Sequence, residues 1–420
     1  MDSKKTLKVA IVGNILEFYD FSIYGFLIPS ISPLFFPSDV KIITYIVGFL
    51  IFAASFIIRP IGGLFWGFVA NKFGRNIALS YSIALIAFSN LMISILPTYA
   101  IIGIFAPFLL AFLRLLQGFC MGGEFSGSLV FISENLKPDT QRKAFYTSLA
   151  TSAGLLGWFL GAFICYISSA LISNTSIAWR VPFMLGALAG IYGIYIRIKV
   201  KDTLEMESLR TRQRGLRYTF LDFSFVRQGI KKILILFGIG AFVGGYFYYF
   251  CIFQQVFLTQ YISLSPGTVK LMSMFGIATY MVMLPLFGMV SNKNLVSLGI
   301  FSAISGICCS ILCQFLLISG KIPLIFLSEF LALTCLAGFM SPASYLMTRI
   351  YNIDSRTYGT NFGYNAGICL FGGFAPVIAL KIYYFTGNLF MPASFTTTCA
   401  TMGLIAFLLI KHDKNINLLH

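Results

Sequence analysis

Long apolar runs separated by short charged clusters are the feature that most constrains this chain. Several runs exceed about 18 residues, and a membrane-spanning helix needs roughly 20. Only 10% of the 420 residues are charged and 58% are hydrophobic, whereas about a quarter of the residues in soluble domains are charged. A water-soluble fold is therefore excluded, and the lack of short alternating segments argues against a β-barrel.

The apolar runs predict an all-α integral membrane protein with twelve transmembrane helices in two pseudo-symmetric six-helix bundles. The first bundle is predicted at residues 1–198 and the second, with a short tail, at 231–420. A basic stretch at 199–230 joins them, either as a contact with anionic lipid or only as a topology determinant. The helices are predicted near 8–36, 42–70, 76–97, 102–134, 143–172, 178–198, 231–260, 268–290, 295–318, 322–349, 357–385 and 391–410.

Basic residues predict the orientation of these helices. The net charge is +16, but most Lys and Arg residues fall in the segments on one side of the predicted membrane, which makes that side cytoplasmic. An even number of helices places both termini there. We therefore expect a multi-pass protein of a bacterial inner membrane with cytoplasmic termini, and no nucleic-acid partner.

The two halves of the sequence repeat one another. The segment 67–72, after the second predicted helix, is echoed by 288–293 after the eighth, and the segment from Arg142 with Gly157 and Gly161 is echoed from Arg356. Duplicated halves are typical of transporters, whose substrate site lies between them near the midplane.

Four ionisable residues are predicted near the middle of the membrane: Glu17, Asp20, Arg59 and Glu124. By helical rise they lie about 14–20 Å from the inner edge. Charges in hydrocarbon indicate a functional site by default. With three acids and one base, one carboxyl lacks a cation, and we expect Glu124 or Asp20 to exchange protons while Arg59 pairs with the other acid of helix 1. The alternative is a structural network of buried ion pairs.

Further polar residues share helix faces with these charges. Tyr24 follows Asp20 by one turn, and Arg114 and Gln117 lie on the same side of helix 4 as Glu124. Arg114 either faces the pathway or extends its side chain to the outer interface.

In the second half, two polar or aromatic features have two interpretations each. Asn361 and Asn365 either contact substrate or bond neighbouring helices. The aromatic run at 246–250 either binds a quaternary ammonium group or packs in the core.

Other residue types form no recognisable site. The nine cysteines lie inside apolar runs without metal-ligand spacing, and Glu329, His412 and His420 form no catalytic or metal pattern. We therefore expect no metal, no cofactor and no enzymatic activity.

Three motifs resemble the major facilitator superfamily and, within it, the metabolite:proton symporter branch. Residues 59–75 resemble the loop signature between helices 2 and 3. Residues 13–21 on helix 1 and 114–124 on helix 4 resemble that branch, and 179–183 and 356–365 also fit. The resemblance implies proton symport by alternating access, with Glu17, Asp20, Arg59, Arg114, Gln117 and Glu124 in the pathway.

The same resemblance implies a cytoplasmic gate. The gate residues are predicted to be Gly67, Asn71, Lys72, Gly74, Arg75, Glu134 and Arg142. Asn71 stands where the superfamily usually has an acid, so we expect the charge relay of the gate to be weakened.

We expect a small zwitterion such as proline or betaine as the substrate, with protons as the coupling ion and the lipid bilayer as the surroundings, and a functional monomer. Carriage of organic acids such as 2-oxoglutarate, citrate or dicarboxylates is the alternative. A substrate sensor that binds without transporting is a third hypothesis.

Overall fold

The computed structural model describes residues 3–39, 41–122, 124–135, 142–198, 224–290, 294–352 and 355–413. The side chains of Asn71, Arg75 and Glu124, and most of the predicted linker, lie outside the described residues. Every regular element within these ranges is helical. The helices up to residue 198 are α1 Ser3–Phe35, α2 Lys41–Ile57, α3 Arg59–Phe73, α4 Arg75–Ile95, α5 Tyr99–Ile102, α6 Phe105–Met121, α7 Glu124–Asn135, α8 Lys143–Leu171, α9 Thr175–Ala178 and α10 Arg180–Ile198.

Beyond residue 223 the chain is again helical, with two short π-helical segments, π1 and π2. The elements there are α11 Ser224–Arg227, α12 Ile230–Tyr248, π1 Tyr249–Phe253, α13 Gln254–Gln260, α14 Pro266–Val290, α15 Leu295–Ile318, α16 Ile322–Leu346, α17 Arg356–Gly367, π2 Ile368–Gly373, α18 Ala375–Thr386 and α19 Ala393–Lys411.

The predicted membrane-spanning fold is confirmed. Eleven helical stretches among the described residues are long and apolar enough to cross a bilayer. Five of them combine more than one helical element, as α6 and α7 do over Phe105–Glu134. The helix α1 has 33 residues, or about 50 Å at the rise of an α-helix, and is a twelfth helix of sufficient length.

The chain divides into two compact units. Unit 1 comprises Met1–Asn135 and Leu156–Asp222, and unit 2 comprises Leu136–Leu155 and Phe223–His420. The first part of α8 thus belongs to unit 2, whereas the prediction assigned the whole helix to the first bundle.

Close backbone contacts hold the helices of each unit together. In unit 1, a Cβ at Gly157 of α8 would collide with the backbone of α1 at Ile15. In unit 2, a Cβ at Gly240 of α12 would collide with the Tyr364 carbonyl of α17. Small residues allow such approach in membranes, where van der Waals packing drives helix association.

Hydroxyl pairs connect the first part of α8 to α16 inside unit 2. Ser148 Oγ and Ser341 Oγ are 2.9 Å apart, and Ser344 Oγ donates to Thr147 Oγ1 at 2.9 Å. All four side chains are buried. In apolar surroundings such bonds satisfy polar atoms that would otherwise destabilise the fold.

Candidate functional site in unit 1

Breaks in two helices position charged residues inside unit 1. The helix α2 ends at Ile57, and α3 starts at Arg59 with Pro60 in its first turn. Proline has no backbone N–H to continue the preceding helix, and it suits the first turn of a new one. Likewise α6 ends at Met121 and α7 begins at Glu124. Arg59 and Glu124, both predicted to carry charge, therefore stand at the starts of helices.

A chain of hydrogen bonds joins α6 to α4. Arg114 Nη1 donates to Gln117 Oε1 at 2.7 Å, and Gln117 Nε2 donates to Asn90 Oδ1 at 2.7 Å. Arg114 and Asn90 are fully buried. The side chain of Arg114 therefore stays inside unit 1, and the alternative in which it extends to the outer interface is wrong.

Asp20 of α1 reaches the same place. A Cβ added to Gly186 of α10 would lie 2.6 Å from Asp20 Oδ1 and 3.0 Å from Asn90 Nδ2. The two polar groups thus border one glycine, which leaves them the space. The helices α1, α4, α6 and α10 therefore meet in one set of buried side chains, the unit-1 polar cluster of Asp20, Tyr24, Asn90, Arg114 and Gln117.

The ring of Phe21 lies between two guanidinium groups. The Arg59 Cζ atom is 4.3 Å from the centroid of Phe21 and 4.3 Å from that of Phe56. The Arg114 Cζ atom is 5.4 Å from Phe21 and 4.4 Å from Tyr24. Cation–π contacts of this kind gain strength when the cation is desolvated.

Arg59 differs from its predicted arrangement. It was expected to form an ion pair with an acid of α1, but among the described residues its guanidinium contacts the two rings and donates from Nη2 to Met121 Sδ at 3.6 Å. Its Nε atom is buried without a hydrogen-bond partner. The arginine is held in place by apolar groups, and that N–H donor remains available.

The structure therefore brings together most of the residues predicted on the first four helices. Asp20, Tyr24, Arg114 and Gln117 form the polar cluster, and Arg59 is linked to it through Phe21. Glu17 is also buried, at 3% exposure, one turn before Asp20. Glu124 begins α7, but its side chain lies outside the described residues.

Asn90 was missed by the sequence analysis. The signal available in the sequence was an amide side chain in the middle of the apolar run predicted as the helix 76–97. Asn14 was missed for the same reason, and its Oδ1 accepts a 2.7 Å bond from Ser128 of α7.

The polar residues predicted on helix 11 lie in unit 2. Asn361 and Asn365 are buried on α17, and Asn365 Nδ2 donates to the Asn361 carbonyl at 2.8 Å. Asn361 and Asn365 each also contact at least one other group. Their predicted roles, contact with substrate or bonding between helices, stay predictions.

The aromatic run at 246–250 packs in the core of unit 2. Tyr246 Oη donates to the Gly306 carbonyl at 2.9 Å, and Tyr249 Oη donates to Gln314 Oε1 at 2.7 Å. Both rings are at most 1% exposed. Of the two interpretations, these contacts with α15 favour packing.

The predicted gate residues lie around the turn from α3 to α4 and the end of α7. Gly74 joins α3 to α4 at a φ of 117°, a conformation that favours glycine. Lys72 is exposed, with Nζ 5.1 Å from the Phe73 centroid. Gly67 is buried, Glu134 is half-buried and Arg142 is exposed. The gate itself stays a prediction.

Comparisons with known proteins agree with this architecture. The family model described as "Sugar (and other) transporter" matches residues 6–205. The glycine betaine/proline/ectoine/pipecolic acid transporter OusA of Dickeya dadantii is 27% identical over 433 residues, covering 98% of this chain and 84% of OusA. The proline/betaine transporter of Salmonella typhimurium is 26% identical over 425 residues, with coverage of 98% and 84%.

Solved structures share the fold. The proton:xylose symporter XylE from E. coli superposes with a TM-score of 0.78 at 16% identity, covering 97% of this chain and 95% of XylE. The human organic anion transporter MFSD10 gives a TM-score of 0.70 at 17% identity, with coverage of 98% and 100%.

The membrane-spanning helices, the transporter family model and the relatives described as transporters together indicate a multi-pass membrane transporter. The fold is that of XylE, which is described as a major facilitator superfamily protein, and the family model and the relatives agree with the resemblance that the motifs predicted.

Proposed function

We propose that this chain is a proton-coupled symporter that carries a small zwitterionic solute, such as proline or glycine betaine, by alternating access. The observation that supports this best is the presence of acidic and basic side chains together in the apolar interior of unit 1. Asp20 is 5% exposed and Arg59 is 7% exposed. A zwitterion carries a group complementary to each. The names of the relatives, which mention proline and betaine, support the same solute class.

Arg59 is suited to the carboxylate end of such a solute. Its Cζ atom lies 4.3 Å from the centroids of Phe21 and Phe56. The buried Nε has no hydrogen-bond partner, and an arginine binds carboxylates through paired N–H donors in its plane. The two rings hold the guanidinium in place before a solute binds. Pre-positioning of this kind lowers the entropy lost when a ligand binds.

The acidic side chains of unit 1 are suited to binding and releasing the coupling proton. Glu124 or Asp20 was predicted to exchange the proton, and Asp20 and its pathway neighbour Glu17 are both buried. A carboxyl in such a place binds a proton more readily when no cation is near it, and loses the proton when a cation or water approaches. Alternating access changes those surroundings in each cycle. XylE, which shares the fold, is a proton symporter, and this likeness supports the mechanism.

A carrier of organic acids is the second candidate. Two buried guanidiniums, of Arg59 and Arg114, could hold two carboxylates, and MFSD10 is described as an organic anion transporter. Arg114 donates to Gln117 and lies over Tyr24, which makes it part of the unit-1 polar cluster. The names of the relatives, which mention proline and betaine, favour the zwitterion.

The proposed setting is a bacterial inner membrane with both termini in the cytoplasm. The partners would be the solute, protons and the lipid bilayer, without nucleic acid, and the monomer would be the working unit. Apart from the coupling proton, no cofactor is required by this mechanism.

Uptake into proteoliposomes tests the proposal. Labelled proline, glycine betaine, 2-oxoglutarate and citrate would be offered with and without an inside-alkaline pH gradient. We expect gradient-driven accumulation of a zwitterion, lost in Asp20→Asn and Glu124→Gln and kept in Asp39→Asn, whose carboxylate is exposed. Accumulation of only the organic acids would support the second candidate. Binding without flux under any gradient would contradict transport and favour a sensor.

A further inference from the structure

Unit 2 contains a buried carboxyl that the mechanism above does not use. Glu329 lies on α16 and is 1% exposed. It follows the first residue of that helix by seven positions, or about 10 Å of helical rise. Its Oε2 atom is buried and accepts no hydrogen bond. Native proteins rarely leave a buried polar atom in this state, so it needs an explanation.

The neighbouring helix leaves room for this oxygen. A Cβ added to Gly276 of α14 would lie 2.6 Å from Glu329 Oε2 and 2.9 Å from Leu333 Cδ1. Any larger side chain at position 276 would occupy the place of the carboxyl. Glu329 therefore sits in a fitted space between α14 and α16.

The groups around Glu329 are neutral. The thiol of Cys251 in π1 is within electrostatic range of Glu329, and Tyr280 of α14 is within range of that thiol. In the part of the chain that the structure describes, no Lys, Arg or His is in electrostatic contact with Glu329.

An ionised carboxylate at this position would be a lone charge in an apolar interior. The free-energy cost of burying such a charge is large, and a carboxyl so placed binds a proton and becomes neutral instead. Ca²⁺ or Mg²⁺ would require about six oxygen ligands, whereas one carboxyl and one thiol are present. A single proton neutralises the carboxylate by forming one O–H bond.

We propose that Glu329 is a proton-binding site of unit 2, in equilibrium with water on the side of the turn at 319–321. One proton from water adds to the carboxylate and gives the neutral acid, and release of the proton restores the carboxylate. That turn is the nearer end of α16, and the charge pattern predicts that it faces outside. The inference is independent of which solute is carried.

Infrared difference spectroscopy of the purified full-length protein in lipid nanodiscs tests this site without any solute. Spectra would be recorded as the bath pH is raised, for the wild type and Glu329→Gln. We expect the C=O stretching band of a protonated carboxyl that is absent from Glu329→Gln and that disappears as the pH rises. Asp20→Asn, in unit 1, should keep this band.

Two further variants distinguish loss of the Glu329 carboxyl from misfolding of the protein. Glu329→Asp keeps the carboxyl and should show a shifted band. Gly276→Ala places a methyl group against Oε2 and should also shift it. Identical bands in the wild type and Glu329→Gln would overturn the proposal, and so would loss of the band on adding Na⁺ or K⁺ at constant pH. Because no solute is present, failure of the transport assay leaves this result unaffected.

Discussion

Gln117 donates a 2.7 Å hydrogen bond to Asn90, and both side chains are buried in unit 1. The bond connects α6 to α4, and the same glutamine accepts from Arg114. Gln117 thus fixes the position of a buried cation relative to two helices. Loss of one member of such a chain leaves the others unsatisfied in a medium without water.

Asn90→Ala is expected to destabilise the protein and reduce uptake. The buried Nε2 of Gln117 would lose its acceptor, at a cost of about 1–3 kcal/mol. Thermal unfolding in detergent, followed by tryptophan fluorescence, measures the first effect and initial uptake rates the second. The matched control is Ser89→Ala, since Ser89 donates to the Leu85 carbonyl of its own helix. Equal stability of the two variants would contradict the role of Asn90.

Gly186→Ala is expected to abolish uptake while the protein still folds. The added methyl group would lie 2.6 Å from Asp20 Oδ1 and 3.0 Å from Asn90 Nδ2, so both side chains would have to move. Uptake and size-exclusion chromatography give the two readouts. Gly127→Ala is the control, because a Cβ there meets no atom within 4 Å. Wild-type uptake by Gly186→Ala would show that this arrangement is not required.

Arg59→Lys is expected to weaken solute binding at least about tenfold although the charge is kept. Lysine is a point charge and cannot reproduce the planar fork of donors that a guanidinium offers to a carboxylate. Equilibrium binding of labelled proline or glycine betaine measures the loss. Arg227→Lys, at an exposed position, should bind like the wild type. If Arg59→Lys also binds normally, the proposed carboxylate contact is wrong.

Tyr249→Phe is expected to lower stability without changing the preference among solutes. The variant keeps the ring but leaves Gln314 Oε1 without its donor, which costs about 1–3 kcal/mol. Tyr384→Phe, whose side chain is 79% exposed, is the control. A changed solute preference in Tyr249→Phe would instead favour an aromatic binding site on this helix.

The sequence was sufficient to predict the helices and the helix faces that carry the charged residues. Continuous apolar runs determine which segments cross a membrane, and the helical period places Arg114 and Gln117 on one side. That is why the fold and several members of the polar cluster could be predicted before the structure was known.

Contacts between helices could not be predicted in the same way. Spacing along one helix does not say which neighbour it meets, so Asn90 and Gly186 escaped attention. The expected ion pair of Arg59 failed for a related reason, because aromatic rings satisfy a cation as a carboxylate does.

Two helical stretches of unit 2 are interrupted by π-helical segments, at Tyr249–Phe253 and Ile368–Gly373. Such a segment behaves as one residue inserted into an α-helix, and each residue of an α-helix turns its side chain by about 100°. Deletion of one residue between 249 and 253 would therefore restore a regular helix and leave the side chains after it on nearly the same faces. Gln254, now buried, would keep its direction, whereas deletion of one residue within the regular part of α12 would turn it by about 100° and alter the interior of unit 2.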